Sequence, residues 1–266
     1  MKMICFDIDG TLIGGGSQLI CESAREAIKA ARQNGHICVI NTGRTKKLVG
    51  PEITGQVTFD GLLLGCGTGV IYREKVLLHK TFSKEMSLRI IDGMRRHEID
   101  AILEGEVNNF CEEPEKMHTE TFRNYASHLK KVLGRDSYTK MMYAPGNFDK
   151  FYAYADKWEQ MNAFRREFET ELSFIDRENG YFEVVPKGYS KASAIRFLAD
   201  RLQLPMEDTV AIGDSNNDLS MLECAGTSIA MGNSSEAVLD MADYVTTDVD
   251  KDGIWNALKW LGVLDA

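Results

Sequence analysis

Three short, largely apolar runs each stop at a polar residue: MICF at Asp7, HICVI at Asn41 and TVAIG at Asp214. None alternates apolar with polar residues, so each reads as a strand buried on both faces, and such strands belong to parallel sheets covered by helices. Between the first two runs, Ala24, Ala27, Ile28 and Ala31 recur at helical spacing. Ser23 with Glu26 offers a capping box, and Gly35 stands where a helix would end. Strand, helix and strand in such short order predict a right-handed crossover with parallel strands.

The middle of the chain follows another pattern. Val70–Tyr72 and Lys75–His79 read as a hairpin, and Met86, Ile90, Ile91 and Met94 as one helix face. Ala101–Leu103, Tyr138–Tyr143 and Phe148–Tyr154 read as strands, with charged helices near 115–132 and 157–170. Alternation returns after Tyr181–Val185, with a helix from Ser190, the strand Thr209–Ile212, a helix after Asn216, the strand Thr227–Met231 and a final helix near Trp255. The expected fold is α/β: a doubly wound, mostly parallel, Rossmann-like core from residues 1–81 and 187–266, with an α+β cap inserted over 82–186.

The 266 residues carry 31 basic and 40 acidic side chains, a net charge of −9. That balance argues against a nucleic-acid or anionic-membrane surface and favours a small-molecule partner. Six scattered cysteines form no C-x-x-C pair, which favours free thiols over disulfides or zinc. The apolar run in MKMICFDIDG is too short for a signal peptide, and no stretch approaches the ~20 apolar residues of a membrane span, so a cytoplasmic location is expected. A monomer or small homo-oligomer is expected.

In an open parallel sheet, ligands bind outside the carboxyl ends of the strands, so Asp7, Asn41, Thr42 and Asp214 are expected to converge although they lie far apart in sequence. Asp7 and Asp9, two apart, share one side of any extended backbone, and Gly10 permits a tight turn or close approach to an anion. Carboxylates crowded this way repel one another and call for a compensating cation; oxygen-only ligands favour magnesium. Lys191, in the first turn of the helix after Ser190, is placed to add positive charge beside a phosphoryl group. Lys187 precedes the same helix, but the spacing from Glu183 and the Gly-Tyr-Ser turn favour Lys191.

Asp7-Ile8-Asp9-Gly10-Thr11, Asn41-Thr42-Gly43-Arg44, Lys191 and Gly213-Asp214-Ser215-Asn216-Asn217-Asp218 together resemble the four ordered motifs of haloacid dehalogenase superfamily phosphatases. Ala230-Met231-Gly232-Asn233, Ala242-Asp243-Tyr244-Val245-Thr246 and Asp252-Gly253-Ile254 are similar to the Cof-type branch with its inserted type IIB cap. The resemblance implies an aspartyl-phosphate mechanism on small phosphorylated metabolites. Asp7 would be the nucleophile and Asp9 the general acid and base. Gly10, Thr42, Gly43, Lys191 and Asn217 would hold phosphate. Magnesium would take the Asp7 and Asp214 carboxylates and the Asp9 carbonyl, with Asn217 and Asp218 in its outer surroundings. Asp218 also suits an ordinary first-turn acid of a helix. A phosphomutase, or a catalytically weak phosphometabolite sensor, is the alternative.

Three positions depart from the family pattern: Cys66 where asparagine is frequent, Ser234 for alanine and Leu239 for lysine. Asp248-x-Asp250-x-Asp252-Gly253 imitates the start of a calcium loop but has Lys259 where glutamate is required, and reads as a turn. Gly65–Gly69 lacks the spacing of a dinucleotide fingerprint, and Gly14–Ser17 lacks that of a P-loop. In the cap, Glu104, Asn108, Asn109, His118, Tyr143, Tyr152 and Arg177 are the polar and aromatic candidates for substrate contact.

Overall fold

Every residue of β1 (Met3–Phe6) is buried, and the strand feeds two apolar clusters at once. Ile4 and Phe6 join one cluster, Met3 and Cys5 the other, as the two-residue side-chain period requires where helices cover both faces. The structure is a computed structural model that describes residues 1–14, 16–133 and 138–264.

After β1 come α1 (Glu22–Gln33), β2 (Ile37–Asn41), α2 (Pro51–Thr54), β3 (Gly61–Leu64), β4 (Gly69–Tyr72) and β5 (Lys75–His79). The middle comprises α3 (Lys84–Arg96), β6 (Asp100–Glu104), β7 (Asn109–Cys111), α4 (Glu120–Leu133), β8 (Tyr138–Lys140), β9 (Lys150–Tyr154), α5 (Trp158–Glu167), β10 (Leu172–Asp176) and β11 (Tyr181–Pro186). The chain then adds α6 (Lys191–Arg201), β12 (Thr209–Gly213), α7 (Leu219–Cys224), β13 (Thr227–Ala230), α8 (Glu236–Met241), β14 (Tyr244–Val245) and α9 (Gly253–Trp260). Residues Met1–Arg44, Leu48–His79 and Tyr189–Ala266 form one compact unit; Thr45–Lys47 and Lys80–Gly188 form a second.

Among the described residues, the first unit holds a sheet of order β14-β13-β12-β1-β2-β3-β4-β5. It is parallel from β14 to β3 and antiparallel through β4 and β5. Ala24, Ala27 and Ile28 of α1 and Ile254, Ala257 and Leu258 of α9 cover one face; Ile195 and Leu198 of α6, Met221 and Leu222 of α7 and Val238 of α8 cover the other. This is the doubly wound core expected from the sequence. The direction of winding reverses at β1, with β2 and β3 on one side and β12 and β13 on the other, which creates a switch point for ligands. Phe6 is level with Ile40 and Ile212, so Asp7, Asn41 and Gly213 leave the sheet at one height.

Local signals set the helix ends, with one correction. Gly35 ends α1 as expected: at φ +83° its N–H donates to Arg32 O, and His36 N–H donates to Ala31 O. The Ser23–Glu26 box is absent, because α1 begins earlier, at Glu22, which places Ser23 inside the first turn. Ser190 does cap α6, exchanging hydrogen bonds with Ser193 at 2.9 and 3.1 Å, and so fixes Lys191 as the first helical residue.

The second unit is an α+β layer of sheet order β10-β11-β9-β6-β7-β8. Ile90, Ile91 and Met94 of α3 and Met161 and Phe164 of α5 cover the face carrying Leu103, Phe110, Phe151, Phe182 and Val184. Phe122 and Ala126 of α4 cover Ile102, Cys111 and Tyr154 on the other. The helix expected near 115 starts only at Glu120, where the Thr119 hydroxyl accepts from Phe122 N–H at 3.2 Å. The strand expected over Tyr138–Tyr143 turns after Lys140, and that over Phe148–Tyr154 begins at Lys150. Among the described residues, no helix is long and apolar enough to cross a membrane.

Candidate active site

Asp7 follows the last residue of β1, and its N–H still continues the ladder to Ile212 O at 3.0 Å. Its carboxylate is buried against Lys191, whose Nζ lies 2.6 Å from Asp7 Oδ1 and 2.6 Å from Asp218 Oδ1. The other oxygen of Asp218 accepts from the Asp214 and Ser215 N–H groups at 2.9 and 3.0 Å, so both oxygens of Asp218 are engaged. Asp7, Lys191 and Asp218, up to 211 positions apart, thus form one charged line.

Burial pushes the Asp7 carboxyl well above the usual carboxylate range; repulsion from Asp218 and Asp214 adds to this and Lys191 opposes it. For Lys191, burial draws the ammonium down, but Asp218 and Asp7 outweigh it and raise its pKa. The lysine therefore stays charged.

Asp214 extends from the end of β12, and its Oδ1 accepts from the Thr11 hydroxyl at 2.9 Å. Gly10 passes directly beside it: at φ +87°, a Cβ there would sit 2.2 Å from Asp214 Oδ2. Only glycine meets both conditions without displacement. Asn233 ties this loop down, donating to Gly10 O at 2.8 Å while its Oδ1 accepts from Val249 N–H. Ser235 N–H bonds Asp214 O at 2.9 Å. Asn217 is buried, and its Oδ1 accepts from the Ser215 hydroxyl at 3.0 Å.

Thr42, buried at the end of β2, accepts from Arg44 N–H through its hydroxyl at 3.1 Å, around the Gly43 turn. Asp9 is placed differently from the other acids. Its carboxylate, 58% exposed, is gripped by Arg44 through Nε at 2.8 Å and through Nη2. Arg44 is the residue that sequence reasoning passed over, although it stands within the quoted Asn41–Arg44 stretch. Asn41 is buried and donates to Lys191 O at 3.1 Å. Gly67 makes a second brace for α6, since a Cβ there would meet Ser190 O at 2.3 Å. The Gly65–Gly69 segment is accordingly the turn joining β3 to β4, packed on the helix that carries Lys191.

The three departures fit locally. Cys66 is buried at φ +51°, its N–H donating to Thr42 O at 3.1 Å. The Ser234 hydroxyl reaches Gly213 O at 3.4 Å, and Leu239 packs in the apolar cluster beneath α8. Asp248 pairs with Lys251 across a turn, as the sequence reading of that segment expected.

Carboxylate oxygens of Asp7, Asp214 and Asp218 lie within 4.8 Å of one another. Against these three acids stands Lys191, which leaves two negative charges in a largely buried space, and every donor is oxygen. The set suits a hard divalent cation such as magnesium.

The candidates in the second unit separate by exposure. Asn108, His118 and Tyr143 are exposed, Tyr152 and Arg177 are half-buried, and Glu104 and Asn109 are buried.

Residues 4–258 match the haloacid dehalogenase-like hydrolases, and the chain belongs to that family. Phosphatase YwpJ of Bacillus subtilis is 28% identical over 294 residues, covering 98% of this chain and 100% of its own. Pyridoxal phosphate phosphatase YbhA of Escherichia coli is 27% identical over 264 residues, covering 95% and 96%. The solved structure of the subclass IIB sugar phosphatase BT4131, 24% identical, shares the fold with a TM-score of 0.81 over 99% of this chain and 100% of its own.

Proposed function

We propose that this chain is a magnesium-dependent phosphatase that hydrolyses small phosphomonoesters, sugar phosphates and related phosphometabolites, through an aspartyl-phosphate on Asp7. The buried line of Asp7, Lys191 and Asp218 beside Asp214 carries this reading. Phosphatases among the relatives, one of them named for pyridoxal phosphate, support it.

The proposed cycle has two displacements. An Asp7 carboxylate oxygen attacks phosphorus, the bond to the ester oxygen breaks, and Asp9 gives its proton to the leaving alkoxide. Asp9, now ionised, takes a proton from water as that water attacks the phosphoaspartate, releasing inorganic phosphate and restoring Asp7. Lys191 keeps Asp7 oriented and offsets phosphoryl charge; Thr42, the Gly43 backbone amide and Asn217 hold phosphoryl oxygens, while Gly10, expected among the phosphate-binding residues, shapes the turn, its N–H already donating to Ile13 O at 2.7 Å. Asp218 fixes Lys191 and the Asp214 loop. The Asp7 and Asp214 carboxylates and the Asp9 carbonyl would hold magnesium, which would supply the positive charge that lets these acids stay ionised beside a phosphate.

The inserted segment, 82–186, serves substrate discrimination. We place the enzyme in the cytoplasm. A phosphate-release screen over phosphorylated metabolites, with and without magnesium, tests the proposal: magnesium-dependent release is expected, and full release in excess chelator contradicts it.

A further inference from the structure

Within the second unit, the last turns of α5 and the chain on either side of the β10–β11 pair border a cavity of about 520 Å³, lined by Asn162, Arg165, Arg166, Phe174 and Lys187. Asn162, Arg165 and Arg166 are spaced by three and four residues, so they share one face of the helix. Lys187, just past β11, is tied down from the other side. Its N–H donates to Glu171 O at 2.8 Å and its Nζ to Glu169 O at 3.0 Å.

Arg165 is set by its aromatic neighbours: its guanidinium carbon lies 5.5, 5.6 and 5.9 Å from the ring centres of Phe182, Phe174 and Trp158. Such cation–π contacts fix the group without consuming its N–H donors. Among the described residues, the side chains of Asn162, Arg165 and Arg166 have no hydrogen-bond or ion-pair partner. Neighbouring acids are engaged elsewhere, Glu167 by Arg96 and His97 and Glu171 by Arg89. Charge separates a site from an ordinary helix end. Basic residues in a last turn offset the helix dipole, which amounts to about half a negative charge. Glu169, also on the cavity wall, adds one more. Against these stand Arg165, Arg166 and Lys187, a positive excess of about one and a half charges in a chain whose net charge is −9.

We propose that Asn162, Arg165, Arg166 and Lys187 form a binding site in the second unit for a phosphate group, either free or carried by a small metabolite. A guanidinium fork matches two oxygens of a tetrahedral oxyanion, and the Lys187 ammonium and the Asn162 amide supply further donors. A dianion also cancels the local excess of positive charge, which a neutral ligand does not. The bound group ties the end of α5 to the chain leaving β11, so occupancy stiffens that corner of the unit. The site does not depend on the chemistry assigned to Asp7.

Hydrogen exchange read by mass spectrometry on the full chain tests this, with inorganic phosphate, with methylphosphonate, and with sodium chloride at equal ionic strength. Methylphosphonate carries a carbon in place of one oxygen and stands for an esterified phosphate that cannot be hydrolysed. At phosphate about ten times its Kd, exchange in peptides spanning 162–174 and 184–188 slows by up to about tenfold. The Arg166→Gln, Lys187→Gln double variant loses that protection; both side chains are exposed, so the fold is kept. Phosphate held beside Asp7 and Lys191 instead protects peptides of the first unit. Protection by phosphate and methylphosphonate alike assigns the site to a metabolite's phosphate group, and protection by phosphate alone assigns it to the free ion; either result supports the site. No protection of these peptides in wild type, equal protection by chloride, or undiminished protection in the double variant overturns it.

Discussion

Arg44 holds Asp9 by both oxygens, Nε donating to Oδ2 at 2.8 Å and Nη2 to Oδ1, while Nη1 reaches Leu48 O at 3.3 Å. A guanidinium fork fixes a carboxylate's plane as well as its position, which a lysine does not reproduce. In the proposed cycle Asp9 must meet the leaving oxygen at a set angle. Arg44→Lys is therefore expected to lower turnover of alkyl phosphates by about ten- to a hundredfold, and of p-nitrophenyl phosphate much less, because an aryl leaving group needs little protonation. Equal losses on both substrates would show that Arg44 acts elsewhere.

The contact of Gly10 with Asp214 leads to a metal-dependent prediction. Gly10→Ala brings a Cβ to 2.2 Å from Asp214 Oδ2 in a backbone region that alanine disfavours. The Asp214 carboxylate must then shift. The half-saturating magnesium concentration should rise and turnover should fall together, with a loss of Tm as well, because the alanine backbone is strained and Ile8, Leu12 and Ile13 of the same turn belong to an apolar cluster. Chelation should abolish wild-type turnover and added magnesium restore it. An unchanged magnesium titration in Gly10→Ala would remove Asp214 from the metal set.

The core was legible because its strands are buried on both faces: MICF, HICVI and TVAIG announce themselves without any partner, and each ends at the residue that matters. The helix start at Ser190 was legible as well, because the residues that set it are neighbours in sequence. What stayed hidden depends on distance. The resemblance placed Asp218 in the outer surroundings of the site, toward water or Lys191; that its second oxygen also closes on the Asp214 and Ser215 amides shows only in the fold. Arg44 was visible as a residue, but its partner lies 35 positions away. In the second unit, β7 spans only three residues, too few for a two-residue period to show, so the cross-strand row of Asn109, Glu104 and Lys150, on β7, β6 and β9, exists only once the strands pair.

A third prediction concerns acid stability. Arg32 forks onto Asp60, Nε to Oδ2 at 3.0 Å and Nη2 to Oδ1 at 2.8 Å, and Cys38 N–H adds a bond of 2.9 Å. Burial alone would raise the Asp60 pKa, but Arg32 and the Cys38 amide outweigh it and lower it. A carboxyl lowered on folding contributes stability that is present above its unfolded value of about 3.9 and is lost as pH falls through its lower folded value. Denaturant midpoints of wild type and Asp60→Asn should therefore differ by a constant amount from neutral pH to about pH 5, and the difference should shrink only in the acid range below about pH 4. A difference that shrinks between pH 5 and 8 would contradict this assignment.

The central claim is that Asp7 carries the phosphoryl group and Asp9 handles the protons. Asp7→Asn lacks the nucleophile and should form no phosphoenzyme with any ester. Asp9→Asn keeps the nucleophile but lacks the base for the second displacement, a loss typically worth about 10²–10⁴-fold. With p-nitrophenyl phosphate it should release one equivalent of nitrophenol rapidly and then stall. Rapid quenching followed by intact-mass measurement reads the intermediate directly: one added phosphoryl group on Asp9→Asn and none on Asp7→Asn is the predicted result. Phosphorylated Asp7→Asn, or steady rapid turnover by Asp9→Asn, would contradict it.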